Sequence, residues 1–247
     1  MLYLPGMQDG LQQAPVGWSS VKRRSLADEV TDQLRDFILT GQLQPGDRLG
    51  EAEISHRLRV SRGPVREALV RLEQEGLVVS EWHKGAAVVD LTRGDVTELA
   101  TLRVALEKLA IAGACRSATK DDLAGLLDVV ERMRAASAGG TDEALARLDI
   151  EFHDAVYRAA HHERLYAAWT TIRSQVALAL LRRRVVNRDY PGLVVDEHAA
   201  LAALIVDRDP DEAQVQIAAH IEGAYSRLLA AYDNPDQSRQ ESPAASA

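Results

Sequence analysis

Residues 92–232 constrain the fold most, because apolar side chains recur there at helical spacing with almost no strand signal. Glycine and proline interrupt the pattern at Gly139-Gly140, Pro191-Gly192 and Asp209-Pro210. The segments between these interruptions cover residues 93–117, 120–137, 141–160, 162–186, 194–208 and 210–232. Apolar stripes of this kind are buried by packing helix against helix, so we predict an all-helical bundle over residues 92–232.

Residues 60–76, VSRGPVREALVRLEQEG, predict a shorter helix with a basic front. Its apolar residues share one helical face and are Val65, Ala68, Leu69 and Leu72. Arg62 and Arg66 fall on another face, Ser61 can cap the first turn, and Gly76 ends the helix. Two arginines near the start of an amphipathic helix suit the major groove of DNA, where guanidinium groups bind phosphates or the guanine edge.

The flanking segments complete a small DNA-binding unit. Helical patterns precede this helix from Ser25 to Gly41 and at residues 51–58, and β-prone runs follow it at residues 77–81 and 86–90. Three helices and a hairpin predict a winged helix-turn-helix over residues 21–91, with Lys84 and Gly85 at the wing tip. Residues 1–20 predict a flexible arm, and residues 233–247 a flexible tail.

Charge and composition limit the class of protein. The formal charge of −8 argues against a general affinity for polyanions, so DNA binding must rest on local charge. Five arginines stand against one acid between Arg57 and Arg71, although a charge count alone favours a solvated helix face. Apolar runs are too short for a membrane span, and the N-terminus lacks a secretory pattern, so we expect a cytoplasmic protein. The lone Cys115 excludes an intrachain disulfide.

Four polar residues of the helical part point to a candidate metal site. Asp149 and His153 are four residues apart on the core side of one helix, and His198 and His220 lie on two later helices. Buried groups of this kind are costly unless they are paired or bound. One carboxylate and three imidazoles would suit zinc or another divalent first-row metal. From the residues alone, inward histidines are more often satisfied core or pocket residues, and both interpretations stay open.

Both parts of the chain resemble a known family. Residues 49–76, with the turn at 44–47 and the core VSRGPVREAL, are similar to the DNA-binding domain of the GntR family of bacterial transcription regulators. The helical part resembles the FCD effector domain found in the FadR subgroup of that family. The similar stretches are residues 98–107, 149–153, 197–201 and 213–220. The likeness implies a mainly α fold, with a winged helix-turn-helix before an FCD-type helical bundle.

The resemblance also implies which residues act. DNA contacts would come from Ser61, Arg62, Gly63, Arg66, Lys84 and Gly85. The family usually has a hydroxyl residue at the position of Gly63, which can offer a phosphate only its amide. Many FCD domains bind a metal through an aspartate and three histidines, and these places hold Asp149, His153, His198 and His220.

The resemblance further implies an effector. Related regulators bind small organic acids, so a small carboxylate would bridge the metal and Arg103, whose guanidinium can clamp it with two hydrogen bonds. The alternative for Arg103 is a buried pair with Glu107.

These patterns predict a ligand-responsive transcription regulator and not an enzyme. It would bind a palindromic double-stranded operator as a homodimer. The rival prediction is a metalloenzyme with an accessory winged helix, against which neither Glu151 nor Glu197 is placed as a general base. A third possibility makes the metal purely structural, or the effector itself.

Overall fold

The structure, a computed structural model, describes residues 25–186 and 190–233. The first unit comprises α1 (Leu26–Leu39), α2 (Glu51–Leu58), α3 (Arg62–Gln74), β1 (Val78–Glu81) and β2 (Gly85–Val88). The second comprises α4 (Arg93–Ser117), α5 (Lys120–Gly139), α6 (Asp142–Ala159), α7 (Glu163–Val186), α8 (Tyr190–Val206) and α9 (Pro210–Asp233). The predicted winged helix-turn-helix and helical bundle are confirmed. The arm at residues 1–20 and the tail after residue 233 lie outside the described residues.

Local sequence signals fix the first unit. Ser25 and Asp28 form a reciprocal capping box at the start of α1, with nitrogen–oxygen distances of 2.8 and 3.1 Å. The buried stripe of α1 packs against α3, whose inward residues Val65 and Leu72 are fully buried. β1 and β2 pair antiparallel, from Val78 opposite Val88 to Glu81 opposite Gly85. The wing is therefore a short hairpin seated on the C-terminal end of α3.

The second unit is a bundle in which α4 packs along α9, and α5 along α6. Capping boxes at Thr92 and Thr119 start α4 and α5. One predicted boundary was wrong, because α8 begins at Tyr190 and not at residue 194. Pro191 lies in the first turn of α8, where a missing backbone N–H costs the helix nothing. In the described ranges, the helices are too short or too polar to cross a bilayer.

Polar contacts join the two units at the end of α3. The Glu75 carboxylate accepts hydrogen bonds from Arg35 at 2.8 and 2.6 Å and from the Ser174 hydroxyl of α7 at 2.9 Å. Arg147 of α6 also pairs with Asp36 of α1 at 2.6 Å. The first unit is thus attached to α6 and α7 through side chains of α1 and of the end of α3.

Gly76 allows the end of α3 to approach α7 closely. It ends α3 with a φ of +69°, and a Cβ added there would lie 2.5 Å from Nε2 of Gln175 on α7. Only glycine adopts this backbone conformation without strain. The residue therefore serves both the helix end and the contact with α7.

We expect Gly76→Ala to lower the free energy of unfolding by about 1 to 2 kcal/mol, because it forces a left-handed alanine against Gln175. Chemical denaturation of the full chain measures the change. The matched control is Gly63→Ala, where a Cβ would meet nothing within 4 Å. The free energy of unfolding of this control should equal that of the parent protein or be slightly higher, since alanine favours a helix. Equal losses in both variants would contradict the prediction.

Candidate metal centre and nucleic-acid interface

The start of α3 gathers four of the predicted DNA contacts on one exposed surface. They are Ser61, Arg62, Gly63 and Arg66, and all four are exposed. Ser61 occupies the N-cap position, but its side chain makes no capping hydrogen bond, which corrects the expectation that it caps the first turn. Its hydroxyl and the first-turn amides face outward at the positive end of the helix dipole, where an anion is stabilised.

Arg66 is held in position by an acid from α2. Its Nε and Nη2 atoms donate to the two oxygens of Glu51 at 3.0 and 2.9 Å. This hydrogen-bonded pair lowers the pKa of the Glu51 carboxyl and raises that of Arg66. Glu67, by contrast, pairs with Arg71, which also bonds Asp28 of α1. Arg71 and Glu67 therefore belong to the scaffold behind the recognition surface.

The wing tip is joined to the segment that precedes α2. Lys84 is exposed, and the backbone carbonyl of Lys84 accepts a hydrogen bond from Arg48 at 3.1 Å. Gly85 has a φ of +80° and opens β2, so glycine is needed to turn the hairpin. Leu49, directly after Arg48, donates its amide to Ala86 at 2.8 Å. The wing and the start of α2 are thus tied together next to the recognition helix.

The four predicted metal ligands meet in the centre of the bundle. Asp149 and His153 come from α6, His198 from α8 and His220 from α9. The three histidines each offer a ring nitrogen within 4.8 Å of the others, and they could hold a metal ion. The Oδ1 atom of Asp149 lies 3.5 Å from Nε2 of His153 and 3.7 Å from Nε2 of His198. Ligand atoms of one zinc ion stand about 3.4 Å apart, and the two distances from Asp149 are close to that spacing.

Each histidine is oriented through its other ring nitrogen. The Nδ1 atoms of His153 and His220 lie 2.5 and 2.7 Å from carboxylate oxygens of Glu107 and Glu197. The Nδ1 atom of His198 lies 2.6 Å from the backbone carbonyl of Val194. Metal-binding histidines characteristically bond such acceptors, which fix the ring and leave Nε2 for the ion. Sequence reasoning missed Glu107 and Glu197 as orienting partners, because nothing in the chain pattern links them to histidines on other helices.

The atoms that face the centre lack partners. Nε2 of His153, Nε2 of His198 and both carboxylate oxygens of Asp149 are buried without a hydrogen bond. A buried polar atom left unpaired costs about 1 to 3 kcal/mol, so four of them together call for a ligand. Two nitrogens and a carboxylate converging on one point are the donors a first-row divalent metal prefers. The residues therefore fit a metal ion.

The electrostatics of the site also favour a cation. Burial raises the pKa of Asp149 and Glu107, but neighbouring His198, His153 and Arg103 outweigh it, so both carboxyls have a pKa below the ordinary range. Burial, together with the neighbouring imidazoles, lowers the pKa of His220 far below its usual value. The site thus holds ionised carboxylates beside a neutral His220. At His153 burial lowers the pKa, but Glu107 outweighs it and raises the pKa above the ordinary value, so a metal ion would displace a proton from that ring.

Arg103 lies in the same buried cluster. Its Nε atom donates to Oε1 of Glu107 at 2.6 Å, so the alternative of a pair with Glu107 is realised. The Nη2 atom is buried without a partner, as are the hydroxyl groups of Tyr157 and Tyr225. One side of the guanidinium is therefore engaged by Glu107. A carboxylate effector, for which two hydrogen bonds from Arg103 were predicted, could bind only to the other side.

The two glutamates that the sequence offers next to the ligands along the chain, Glu151 and Glu197, are both engaged by other side chains. Glu151 pairs with Arg132 of α5, away from the cluster, and Glu197 is engaged by His220. Both carboxylates are therefore held by partners of their own, Arg132 and His220.

Comparisons with known proteins identify a family for each of the two parts of the chain. The FCD domain family matches residues 98–223, and the family of bacterial regulatory proteins, gntR, matches residues 26–88. The chain belongs to the GntR family and carries an FCD domain. The Nta operon transcriptional regulator of Aminobacter aminovorans is 31% identical over 186 residues, covering 75% of this chain and 86% of that protein.

Other relatives are regulators too. The gluconate operon transcriptional repressor of Bacillus subtilis is 27% identical over 199 residues, covering 79% of this chain and 81% of that protein. The crystal structure of a GntR transcriptional regulator from Rhodococcus sp. RHA1 superposes with a TM-score of 0.74 at 24% identity, covering 85% of this chain and all of that one. These families and relatives are transcription regulators and not enzymes.

We expect Glu107→Gln to destabilise this GntR protein by about 3 kcal/mol or more, because it leaves the buried Arg103 charge without its partner. The measurement is urea denaturation at neutral pH. Glu151→Gln is the matched control, since it breaks an ion pair whose side chains are 45% and 44% exposed. An exposed pair contributes about 0 to 1 kcal/mol, so the control should unfold nearly like the parent. If Glu107→Gln lost as little free energy of unfolding as Glu151→Gln, the buried pair would not be essential to stability.

Proposed function

We propose that this GntR regulator is an FCD-type sensor of the FadR subgroup. It binds a palindromic operator as a homodimer and changes its operator affinity when a small carboxylate binds at a metal site in the helical domain. The observation that supports this most is the convergence of unpartnered donor atoms from His153, His198 and Asp149 on one buried point. A regulator of this kind meets its operator in the cytoplasm.

The DNA-binding part of the proposal rests on the exposed start of α3. Ser61, Arg62 and the amide of Gly63 would bind phosphates, and Arg66 would reach a base edge in the major groove. Lys84 and Gly85 would contact the flanking backbone from the wing. In a two-fold dimer, two such helices would enter successive major grooves about 34 Å apart.

The metal would be zinc or another divalent first-row ion held by Asp149, His153, His198 and His220. When bound, it would supply positive charge and open coordination positions for an oxygen ligand. Glu107 and Asp149 carry two negative charges in this cluster against one on Arg103. A divalent ion would reverse the sign of the cluster, so an anion would then be favoured beside it.

The effector would be a small carboxylate. Nη2 of Arg103 is buried without a hydrogen bond, and so are the phenolic hydroxyls of Tyr157 and Tyr225. A carboxylate with further oxygen atoms would satisfy all three groups. One relative is named for a gluconate operon, and gluconate is an acid of this chemistry.

A continuous set of contacts would carry the response to DNA. Asp154, next to His153, accepts hydrogen bonds from Trp169 at 2.7 Å and from Arg173 at 2.8 Å, both on α7. Ser174 and Gln175 follow on α7 and contact Glu75 and Gly76 at the end of α3. A shift of α6 on ligand binding would therefore move the recognition helix, a coupling worth about 1 to 3 kcal/mol.

The proposed DNA contact predicts that Arg66→Ala binds the operator about tenfold to a hundredfold more weakly and keeps its metal and acid binding. The probe is a duplex selected by the parent protein from random-sequence DNA, followed by fluorescence anisotropy. Arg134→Ala is the matched control, because its side chain is 51% exposed on α5 of the other unit. Equal operator affinity in Arg66→Ala and the control would refute the proposed recognition surface.

The proposed metal site predicts about one divalent metal per chain, with a melting temperature that falls on chelation. His198→Ala should lose the metal, whereas His56→Ala, on the surface of α2, should keep it. Elemental analysis and thermal melting measure both.

On the same samples, a thermal-shift screen of small carboxylic acids should give stabilising ligands whose effect disappears with chelator. Stabilisation that persists after chelation would contradict a metal-bound acid. Metal without any acid ligand would leave the ion structural, or the effector itself.

A further inference from the structure

The contacts around the proposed metal position extend one residue beyond Glu197. Oε2 of Glu197 lies 2.7 Å from Nδ1 of His220, and Oε1 of the same carboxylate lies 3.5 Å from Nη2 of Arg227. Glu197 therefore joins a proposed metal ligand to a guanidinium. The sequence analysis assigned no role to this arginine.

Arg227 reaches Glu197 by lying back along its own helix. His220 and Arg227 are seven residues apart on α9, so they stand about two turns apart on one helical face. Side chains of a helix lean toward its N-terminus, which directs Arg227 back toward His220. Gly223 comes between them, and a Cβ added there would lie 3.3 Å from Nη1 of Arg227. The glycine therefore leaves room for the guanidinium to follow the helix.

The position of this guanidinium is costly. Nε and Nη2 of Arg227 are buried without a hydrogen bond, although the side chain as a whole is 30% exposed. Buried donors without partners cost free energy, which a surface arginine avoids by extending its head into water. An arginine that gives up this hydration to lie beside the carboxylate of Glu197 points to a role for the pair.

We propose that Arg227 is a positioning residue of the metal site, acting through Glu197 on the imidazole of His220. The guanidinium holds the carboxylate against α9, and the carboxylate holds Nδ1 of His220, which leaves the other ring nitrogen for the ion. Outer partners of metal-binding histidines fix the ring and strengthen metal binding. This inference rests on the proposed metal site and adds a residue that touches no ligand directly.

Direct electrostatics predicts the opposite effect on metal affinity. A guanidinium near a divalent ion repels it, so removal of the Arg227 charge would tighten metal binding if nothing else changed. Positioning predicts weaker binding, because Glu197 is itself 23% exposed and without the guanidinium is free to turn toward water. The sign of the change in metal affinity therefore separates the two effects.

The first test measures zinc affinity of the full-length protein by competition with a chromophoric chelator. Arg227→Gln should bind zinc about tenfold more weakly, at the lower end of the range for loss of an outer partner. Arg227→Lys should recover part of the loss, since an ammonium group attracts the same carboxylate. Arg132→Gln on α5 is the matched control. It breaks surface ion pairs with Asp128 and Glu151 and should bind zinc like the parent protein.

A double variant tests whether Arg227 acts through Glu197. In that case, Glu197→Gln combined with Arg227→Gln should lose no more zinc affinity than Glu197→Gln alone, whereas independent effects would multiply. Thermal melting in excess chelator reports the stability of the metal-free protein. Arg227→Gln should melt there like the parent, because a partly exposed ion pair contributes little to stability.

The outcomes separate this inference from the proposed function. Zinc affinity in Arg227→Gln equal to or above that of the parent, with zinc lost in His198→Ala, would overturn the role of Arg227 and leave the metal site in place. A multiplied loss in the double variant would overturn its action through Glu197. Zinc binding in the parent no tighter than in His198→Ala would overturn the proposed metal site itself.

Discussion

The structure of the helical domain depends on a buried cluster of charges that its own side chains do not fully satisfy. Glu107 neutralises Arg103 and orients His153, while Asp149 and two imidazole nitrogens face a common point without partners. Three helices, α4, α6 and α8, must approach closely to bring these groups together. An apolar core would pack these helices without the cost of buried unpaired groups, so the arrangement makes physical sense for a domain whose stability rises when a ligand binds.

The same cluster explains how one site would influence a distant helix in the proposed regulator. Asp154 follows His153 directly and is held by Trp169 and Arg173 of α7. Hydrogen bonds to this one carboxylate therefore tie α7 to α6. At another point on α7, Ser174 contacts Glu75 at the end of α3. This link is a short series of polar contacts beside Gly76, which packs tightly against α7. A small displacement of α6 would therefore be passed on to α3, because few flexible side chains lie between the two helices.

Helical periodicity and punctuation by glycine and proline predicted the helices of the bundle closely, because each helix buries a continuous stripe. The start of α8 was wrong, since Pro191 is as acceptable in a first turn as in a loop. Spacing also placed Asp149 and His153 on one face, with His198 and His220 as candidates on two later helices, and the family resemblance favoured a metal site over satisfied core histidines. The partners Glu107 and Glu197 were not predicted as such, because pairing between helices depends on tertiary geometry that leaves no periodic signal. For the same reason, Glu51 gave no sign that it holds Arg66.

The charge pattern of the DNA-binding unit shows why a local count of arginines is a poor guide to affinity. Arg57 pairs with Glu53, Arg66 with Glu51, and Arg71 with Glu67 and Asp28, so much of the positive charge between residues 57 and 71 is compensated within the unit. A chain with a formal charge of −8 gains little from long-range attraction to DNA. Operator binding would then depend on the helix N-terminus, on an oriented guanidinium and on the fit of the wing. These terms discriminate between sequences better than charge does, because they require the groove to have a particular shape.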